Sequence, residues 1–307
     1  MPSRRTFLQS SAAAAAGLPL LSTHTLMPTS KPTAAKLTIS LAQWSLHRAF
    51  FKGYLNPVDF PVIAKQTYGI SAVEYVNAFM LASEDYAREL KRRGDGEGVQ
   101  SLLIMVDNAG NLGDPNPALR QDAIDRHTLW LDLAAVLGCH SIRVNARSEG
   151  SAEEQMKLMA DGLHRLAVRG EERNLNVLIE NHGGFSSHGD WVAGLIRATD
   201  HPNAGTLPDF GNWNPADAWG APKPGVKGYD RYQGIDEIMP FARGVSAKTY
   251  NFDAAGNETL IDYGRMLDIV NQHGFSGYIG IEYEGSSMGE AAGIFATKAL
   301  LSRLIGN

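Results

Sequence analysis

Eight short β-type runs recur along the chain, and that rhythm limits its fold more than any other property. From residue 36 onward, short runs of β-branched and apolar residues alternate with longer segments whose apolar residues recur at helical spacing. The β-type runs fall at 36–46, 71–79, 101–110, 139–146, 175–184, 204–213, 243–253 and 276–285. Helical readings fill 56–68, 83–94, 118–137, 151–174, 188–200, 260–273 and 289–304, and a long loop rich in Gly, Pro and aromatic residues follows the sixth run to about residue 230. The segment from Ser151 opens with a serine and has Glu154 three residues on, a capping box. Strands that are each succeeded by a helix pair in parallel and are covered on both faces. Eight such units without a break in composition predict one single (β/α)8 TIM barrel, an eight-stranded parallel α/β fold, over residues 36–307. An open doubly wound sheet is the alternative. It would place a glycine-rich phosphate turn after the first strand, where this chain reads QWSLHRAF (43–50).

The first 35 residues read differently. SRRTFLQ (3–9) sets a twin arginine before SSAAAAAGLPLL (10–21), a short and mildly apolar run that is too brief to span a bilayer. The pattern of a twin-arginine export signal is matched at Ser3, Arg4, Arg5, Phe7 and Leu8, which gives residues 1–35 the reading of signal peptide and linker. The expected address is periplasmic, or otherwise exported by the twin-arginine route. No cysteine follows the apolar run, so no stable membrane anchor is expected once the leader is removed. The net charge is −5, and the leader holds Arg4, Arg5 and Lys31 with no acid, so the body of the chain is more acidic still. An acidic body lacks the basic footprint of a nucleic-acid binder. Cys139 is the only cysteine, which excludes an internal disulfide and a thiolate metal site, leaving oxygen and imidazole ligands.

In a barrel of this kind the loops at the C-terminal ends of the strands carry the chemistry. The polar residues there are Trp44 and Ser45, Glu74 and Asn77, Asp107 and Asn108, Arg143 and Asn145, Glu180 and His182, Asp209 and Asn212, Ser246 and Lys248, and Glu282 and Glu284. Residues two apart share a face of a strand, so Glu180 with His182, and Ser246 with Lys248, are expected to point to one place. Glu180, Asp209 and Glu282 bring three carboxylates to one mouth, and Lys248 neutralises only part of that charge. A divalent cation with oxygen ligands does so most directly. Bland roles exist for each residue alone: a turn acceptor for Asp209, an exposed strand face for Glu282, a loop contact for His182, a structural ion pair between Glu74 and Arg143.

The segments VLIENHGG, LPDFGNW, VSAKTYNFD and IGIEYEG, with AVEYVN upstream, resemble the xylose isomerase-like barrel superfamily, and within it the sugar phosphate isomerase/epimerase branch, which includes exported members with twin-arginine leaders. The resemblance covers residues 36–305. It implies one divalent metal ion, Mn2+, Co2+, Mg2+ or Zn2+, held by Glu180, Asp209 and Glu282. The family places a histidine two residues before a lysine on the seventh strand, and here that position is Ser246. His182 is a further candidate ligand, water or substrate could complete the shell, and the remaining alternative is that Lys248 fills the space without metal.

The family's reactions move a proton next to a carbonyl through an enediolate. Carried over, Glu180 and Glu282 are the catalytic carboxylates and Lys248 steadies the developing oxyanion. Trp44, Glu74, Arg143, His182, Asn212, Trp213 and Ser246 form the expected substrate-binding set, with Trp44, Trp213 and Trp219 offering flat faces to a sugar ring. The expected ligand is a small-molecule sugar or glycoside, and a homo-oligomer is compatible with the chain. No phosphate cradle is evident, and the loop at 214–234 is expected to cover the site. A metal-dependent lyase or hydrolase acting on keto-glycosides and a non-catalytic sugar-binding barrel stand as alternatives. The histidine-rich, three-zinc endonuclease version of the barrel fits poorly, since few of the nine histidines fall at strand ends.

Overall fold

The computed structural model describes residues 36–306, so the leader, the boundary at residue 35 and the export reading fall outside the described residues. Eight strands, β1 (Leu37–Ala42), β2 (Ala72–Val76), β3 (Gln100–Val106), β4 (Ser141–Val144), β5 (Asn176–Glu180), β6 (Ala204–Leu207), β7 (Val245–Thr249) and β8 (Gly277–Tyr283), pair in parallel in the order β6-β5-β4-β3-β2-β1-β8-β7. The helices between and after them are α1 (His47–Phe51), α2 (Phe60–Tyr68), α3 (Glu84–Glu97), α4 (Pro117–Leu137), α5 (Ala152–Glu171), α6 (Gly189–Thr199), α7 (Arg231–Ile238), α8 (Tyr263–Gln272) and α9 (Glu290–Ile305). The two ends of the sheet, β6 and β7, meet at parallel bridges between Thr206 and Ala242 and between Asp209 and Ser246. The ladder is thin there because Pro208 has no N–H to give. What closes the barrel is Arg243 N–H to Thr206 O (3.0 Å), Ser246 N–H to Pro208 O (2.8 Å) and Phe210 N–H to Ser246 O (3.1 Å).

Local chemistry sets the helix ends. Ser151 accepts from Glu154 N while Glu154 reaches back to Ser151 N, so the capping box read in the sequence is formed at α5. Asn116 caps α4, whose first residue is Pro117, and Gly138 ends it in the left-handed conformation. The strands stop earlier than the sequence pattern indicates. β1 gives way after Ala42 to a 3-10 turn at Gln43–Leu46, β5 ends at Glu180, and β6 ends at Leu207 before Pro208. Polar residues beyond those points belong to the barrel mouth rather than to the ladder.

The apolar core lies between sheet and helices, where Leu131, Leu163, Leu195, Ile235, Met266 and Ile294 are fully buried. Inside the sheet the C-terminal half is polar instead: Ser40, Glu74, Arg143, Glu180, Asp209, Ser246, Lys248 and Glu282 are all buried. Gly280 of β8 makes room for one of them, since a Cβ there would come within 2.4 Å of Glu74 Oε1. No helix among the described residues is long and apolar enough to cross a membrane.

Two consequences for stability can be measured. A Cβ on Gly162 of α5 would lie 1.9 Å from the Leu112 carbonyl oxygen, a backbone atom that cannot swing aside. Gly162→Ala should therefore cost about 3 kcal/mol in denaturant unfolding, the upper end for an overpacked core; an unchanged midpoint would mean that α5 and the β3–α4 loop part freely. On α4, His127 is buried and donates Nδ1–H to Ala123 O at 2.7 Å, and burial pushes its imidazole down from 6.5 to about 4. The unfolded chain takes up that proton first, so the contribution is complete above pH 6.5 and is lost as the pH falls to about 4. The loss attributable to it is about 3 kcal/mol, and His127→Gln should flatten the stability–pH curve over that window.

Candidate functional site

Three carboxylates converge at the mouth of the barrel. Glu180 is the last residue of β5, Glu282 is near the end of β8, and Asp209 lies just past β6. One oxygen from each lies within 4.8 Å of the others, and all three are buried. Asp209 is fixed by an amide that continues the sheet beyond its last strand residue. Asn181 donates Nδ2–H to Asp209 O (2.9 Å) and accepts Asp209 N–H on Oδ1 (2.8 Å). Asp209 Oδ1 in turn accepts the N–H groups of Gly211 (2.7 Å) and Asn212 (2.8 Å). The same device recurs across the mouth, where Asn77 holds the backbone of Asp107 through Nδ2–H to Asp107 O (2.7 Å) and Asp107 N–H to Oδ1 (2.9 Å).

Two cations enter this cluster from the strands. Lys248, the register partner of Glu282, donates Nζ–H to Glu282 Oε1 at 2.8 Å and lies 3.3 Å from Glu284 and 3.7 Å from Asp209. Arg143 binds Asp107 Oδ1 through Nη1 at 2.7 Å, and its Nε sits 2.8 Å from Glu180 Oε2. That last pair is in ionic contact but misaligned, and neither Arg143 Nε nor Glu180 Oε2 completes a hydrogen bond. Ser246 stands where the histidine of the family pattern would be. Its Oγ is 2.7 Å from Asp209 Oδ2 and 2.8 Å from Glu282 Oε2. A hydroxyl has one proton to give, so both contacts are favourable only when one carboxyl carries a proton or a cation intervenes.

The electrostatics agree with that. Burial raises Asp209 to about 6, with the Glu282 charge adding to it against Lys248. Burial also lifts Glu180 well above the carboxylate range, beyond what Arg143 offsets. Glu282 is the ionised member: burial would raise it, but the Lys248 ammonium brings it below its ordinary value. The donor set of three carboxylate oxygens, an unbonded Glu180 Oε2 and a surplus of buried acid fit a hard divalent cation.

Above the cluster opens a cavity of about 350 Å³ walled by Trp44, Arg143, His182, Asn212, Glu282 and Glu284, with Trp219 at its rim. His182 stands on that wall and is not part of the carboxylate cluster. Because β5 ends at Glu180, the two-residue alternation that put His182 beside it no longer applies. Instead His182 Nδ1 bonds Asn145 Oδ1 at 2.7 Å, and Asn145 Nδ2 bonds Asp107 at 2.7 Å. Burial and the Arg143 charge keep this imidazole well below its ordinary pKa.

Three residues of the expected binding set sit elsewhere. Glu74 lies beneath the floor, bonded to Ser40 Oγ at 2.7 Å, and burial raises it to about 7. Ser246 lies between two of the carboxylates. Trp213 is buried in packing against Gly234 and Tyr229. The loop that carries it instead offers Trp219, 5.1 Å from His182 and under the Arg147 guanidinium at 4.4 Å.

Two residues are more central than their place in the sequence indicates. Glu284 anchors both the Trp44 indole and Lys248, and Asp107 organises Arg143, Asn145 and, through Asn145, His182. Glu284 lies just past β8, but its N–H still bonds Thr249 O at 2.9 Å, so its spacing of two from Glu282 keeps both beside Lys248.

Residues 63–303 match the xylose isomerase-like TIM barrel family. Among solved structures, the 3-keto-D-glucoside 4-epimerase YcjR from E. coli superposes with a TM-score of 0.65 at 14% identity, covering 88% of this chain and 99% of that one. An L-ribulose 3-epimerase gives 0.63 at 12% identity, over 89% of this chain and 95% of its own. The IOLI protein, solved with a zinc atom bound, gives 0.67 at 12% identity, over 88% and 98%. No curated protein matches by sequence. With the match running along most of its length and the barrel and its mouth laid out as described, this chain belongs to the xylose isomerase-like TIM barrel family.

Proposed function

We propose that the protein is a carbohydrate isomerase or epimerase that moves a proton next to a carbonyl, using one divalent cation held by Glu180, Asp209 and Glu282. The observation that carries this reading is the buried carboxylate cluster, which reaches a cavity of about 350 Å³ through Glu282, with Glu180 Oε2 left without a hydrogen bond. The similarity to barrels named as sugar epimerases supports the substrate class. When bound, the ion would polarise a carbonyl and its neighbouring hydroxyl, so that the adjacent C–H becomes acidic.

The chain's own groups do the rest. Glu180 and Glu282 approach from β5 and β8, and either carboxylate can take the proton and return it. Arg143 and Asn212 hold Glu180 in place, the latter through Nδ2–H to Oε1 at 3.2 Å. Lys248 keeps Glu282 ionised. His182, its Nδ1 engaged by Asn145, presents the other ring nitrogen to a substrate hydroxyl. Trp44 and Trp219 supply apolar faces for the ring. Residues 1–35 act in this reading as a twin-arginine leader that delivers the folded barrel, residues 36–307, to the periplasm.

Glu180→Gln and Glu282→Gln should each lower solvent-deuterium exchange into a carbonyl sugar by roughly a hundred- to ten-thousand-fold, and mass spectrometry should find the metal content of the purified protein reduced with them. Near-normal exchange in both variants would overturn the assignment. One observation favours a second reading: the Lys248 ammonium already lies 2.8 Å from Glu282 and 3.7 Å from Asp209, which suits a metal-free binding barrel. Lys248→Met separates the two. It leaves buried acids unpaired and should cost the metal-free protein about 3–5 kcal/mol. Added Mn2+ should restore the melting temperature if the cluster is a cation site, and should leave it low if it is not.

A further inference from the structure

The chamber above the carboxylates is not the end of the site. His182 is also part of the wall of a second, larger cavity of about 590 Å³, which runs from the mouth between the β4–α5, β5–α6 and β6–α7 loops. Its lining includes Asn111, Arg147, Gln155, Phe185 and His188. Several of these carry hydrogen-bonding groups that nothing uses. Among the described residues neither the Asn111 amide nor the ring nitrogens of His188 make a hydrogen bond, and Arg147 spends only Nη2, on Ala218 O at 3.1 Å. Phe185, stacked on Trp191 at 6.0 Å, adds an aromatic face beside them.

Unspent donors and acceptors around an aromatic face suit a polyhydroxylated ring, which has both apolar C–H faces and hydroxyls that can donate and accept. A phosphate suits the groove poorly. The carboxylates of Glu149 and Asp217 line it too, and the one guanidinium is partly spent on Trp219 and a carbonyl. A third cavity, of about 730 Å³, meets the chamber on its other side at Trp44 and Glu284, but its walls are dominated by Pro222, Pro224, Tyr250 and Leu260.

We propose that the groove beside His182 is a subsite for a second, uncharged sugar ring, so that the substrate is a glycoside whose reacting ring sits over Glu180, Asp209 and Glu282 while its partner ring lies against Asn111, Phe185 and His188. This rests on the carbohydrate reading above and narrows it, excluding a lone monosaccharide and a sugar phosphate as the preferred ligand.

The test is calorimetric binding to the metal-loaded protein of two matched pairs, D-fructose against lactulose and 3-keto-D-glucose against 3-ketotrehalose, with D-fructose 6-phosphate as a third arm. In at least one pair the two-ring sugar should bind about tenfold more tightly, the worth of one or two hydrogen bonds. In the double variant Asn111→Ala/His188→Phe that advantage should shrink to about twofold or less, while the one-ring affinity stays within about twofold of the unmodified protein and so reports an intact fold. Equal affinity within both pairs, equal weakening of one- and two-ring sugars in the variant, or a preference for the phosphate would overturn the subsite while leaving the carbohydrate reading in place. Absence of binding and of solvent-deuterium exchange with every sugar would overturn both.

Discussion

The mouth of this barrel is organised by an excess of buried negative charge. Glu74, Glu180, Asp209 and Glu282 are all withdrawn from water, and among the described residues Arg143 and Lys248 are the basic side chains buried with them. Four acids against two bases cannot all be ionised in so small a space. The structure answers with shared protons: Asp209 and Glu180 hold theirs more firmly than free carboxyls do, Glu282 gives its own up to Lys248, and the Ser246 hydroxyl mediates between two of them. A cation of charge two, if bound there, would replace those protons, and its uptake would then be tied to release of acid.

That charge arrangement depends on how the sheet closes. Asp209 and Ser246 lie at the junction of β6 and β7, where the ladder is reduced to isolated bridges. Their side chains bond across the same junction that their backbones close. The seam is therefore both the thinnest part of the barrel and the floor of the site. Lys248 belongs to this junction as well, since a Cβ on Gly211 would sit 2.5 Å from its Cγ, and only a glycine lets the loop after Asp209 pass so close.

Most of the fold is readable from period alone, because each parallel strand is a short apolar run and each helix a longer one with its own caps, as at Ser151 and Asn116. The carboxylate cluster is readable too, because Glu180 and Glu282 stand where apolar strands end and a barrel puts such ends together. The pattern fails where the strands stop. His182 and Trp213 lie beyond β5 and β6, where alternation no longer governs direction, and only tertiary packing sends one to the cavity wall and the other into the protein. Glu74 misleads for the opposite reason. It is within β2, one layer deeper than the mouth, and depth along a barrel is set by register and stagger that one strand's sequence does not carry. Asp107 and Glu284 are legible as residues of the mouth, but the weight each bears comes from partners on other elements, Arg143 and Asn145 for one, Trp44 and Lys248 for the other.

The asparagine side chains that extend the sheet past Asp107 and Asp209 make the site sensitive to the chemistry of two single amides. Each uses an amide as both donor and acceptor to one backbone unit. Hydrolysis of either amide to a carboxylate would turn its donor into a second acceptor, facing a carbonyl oxygen, and would add a negative charge where there is already a surplus. At Asn181 that single-atom change would push Asp209 out of register with the other two carboxylates while leaving the barrel's apolar core untouched. Such a change would disperse the carboxylate cluster well before any loss of fold.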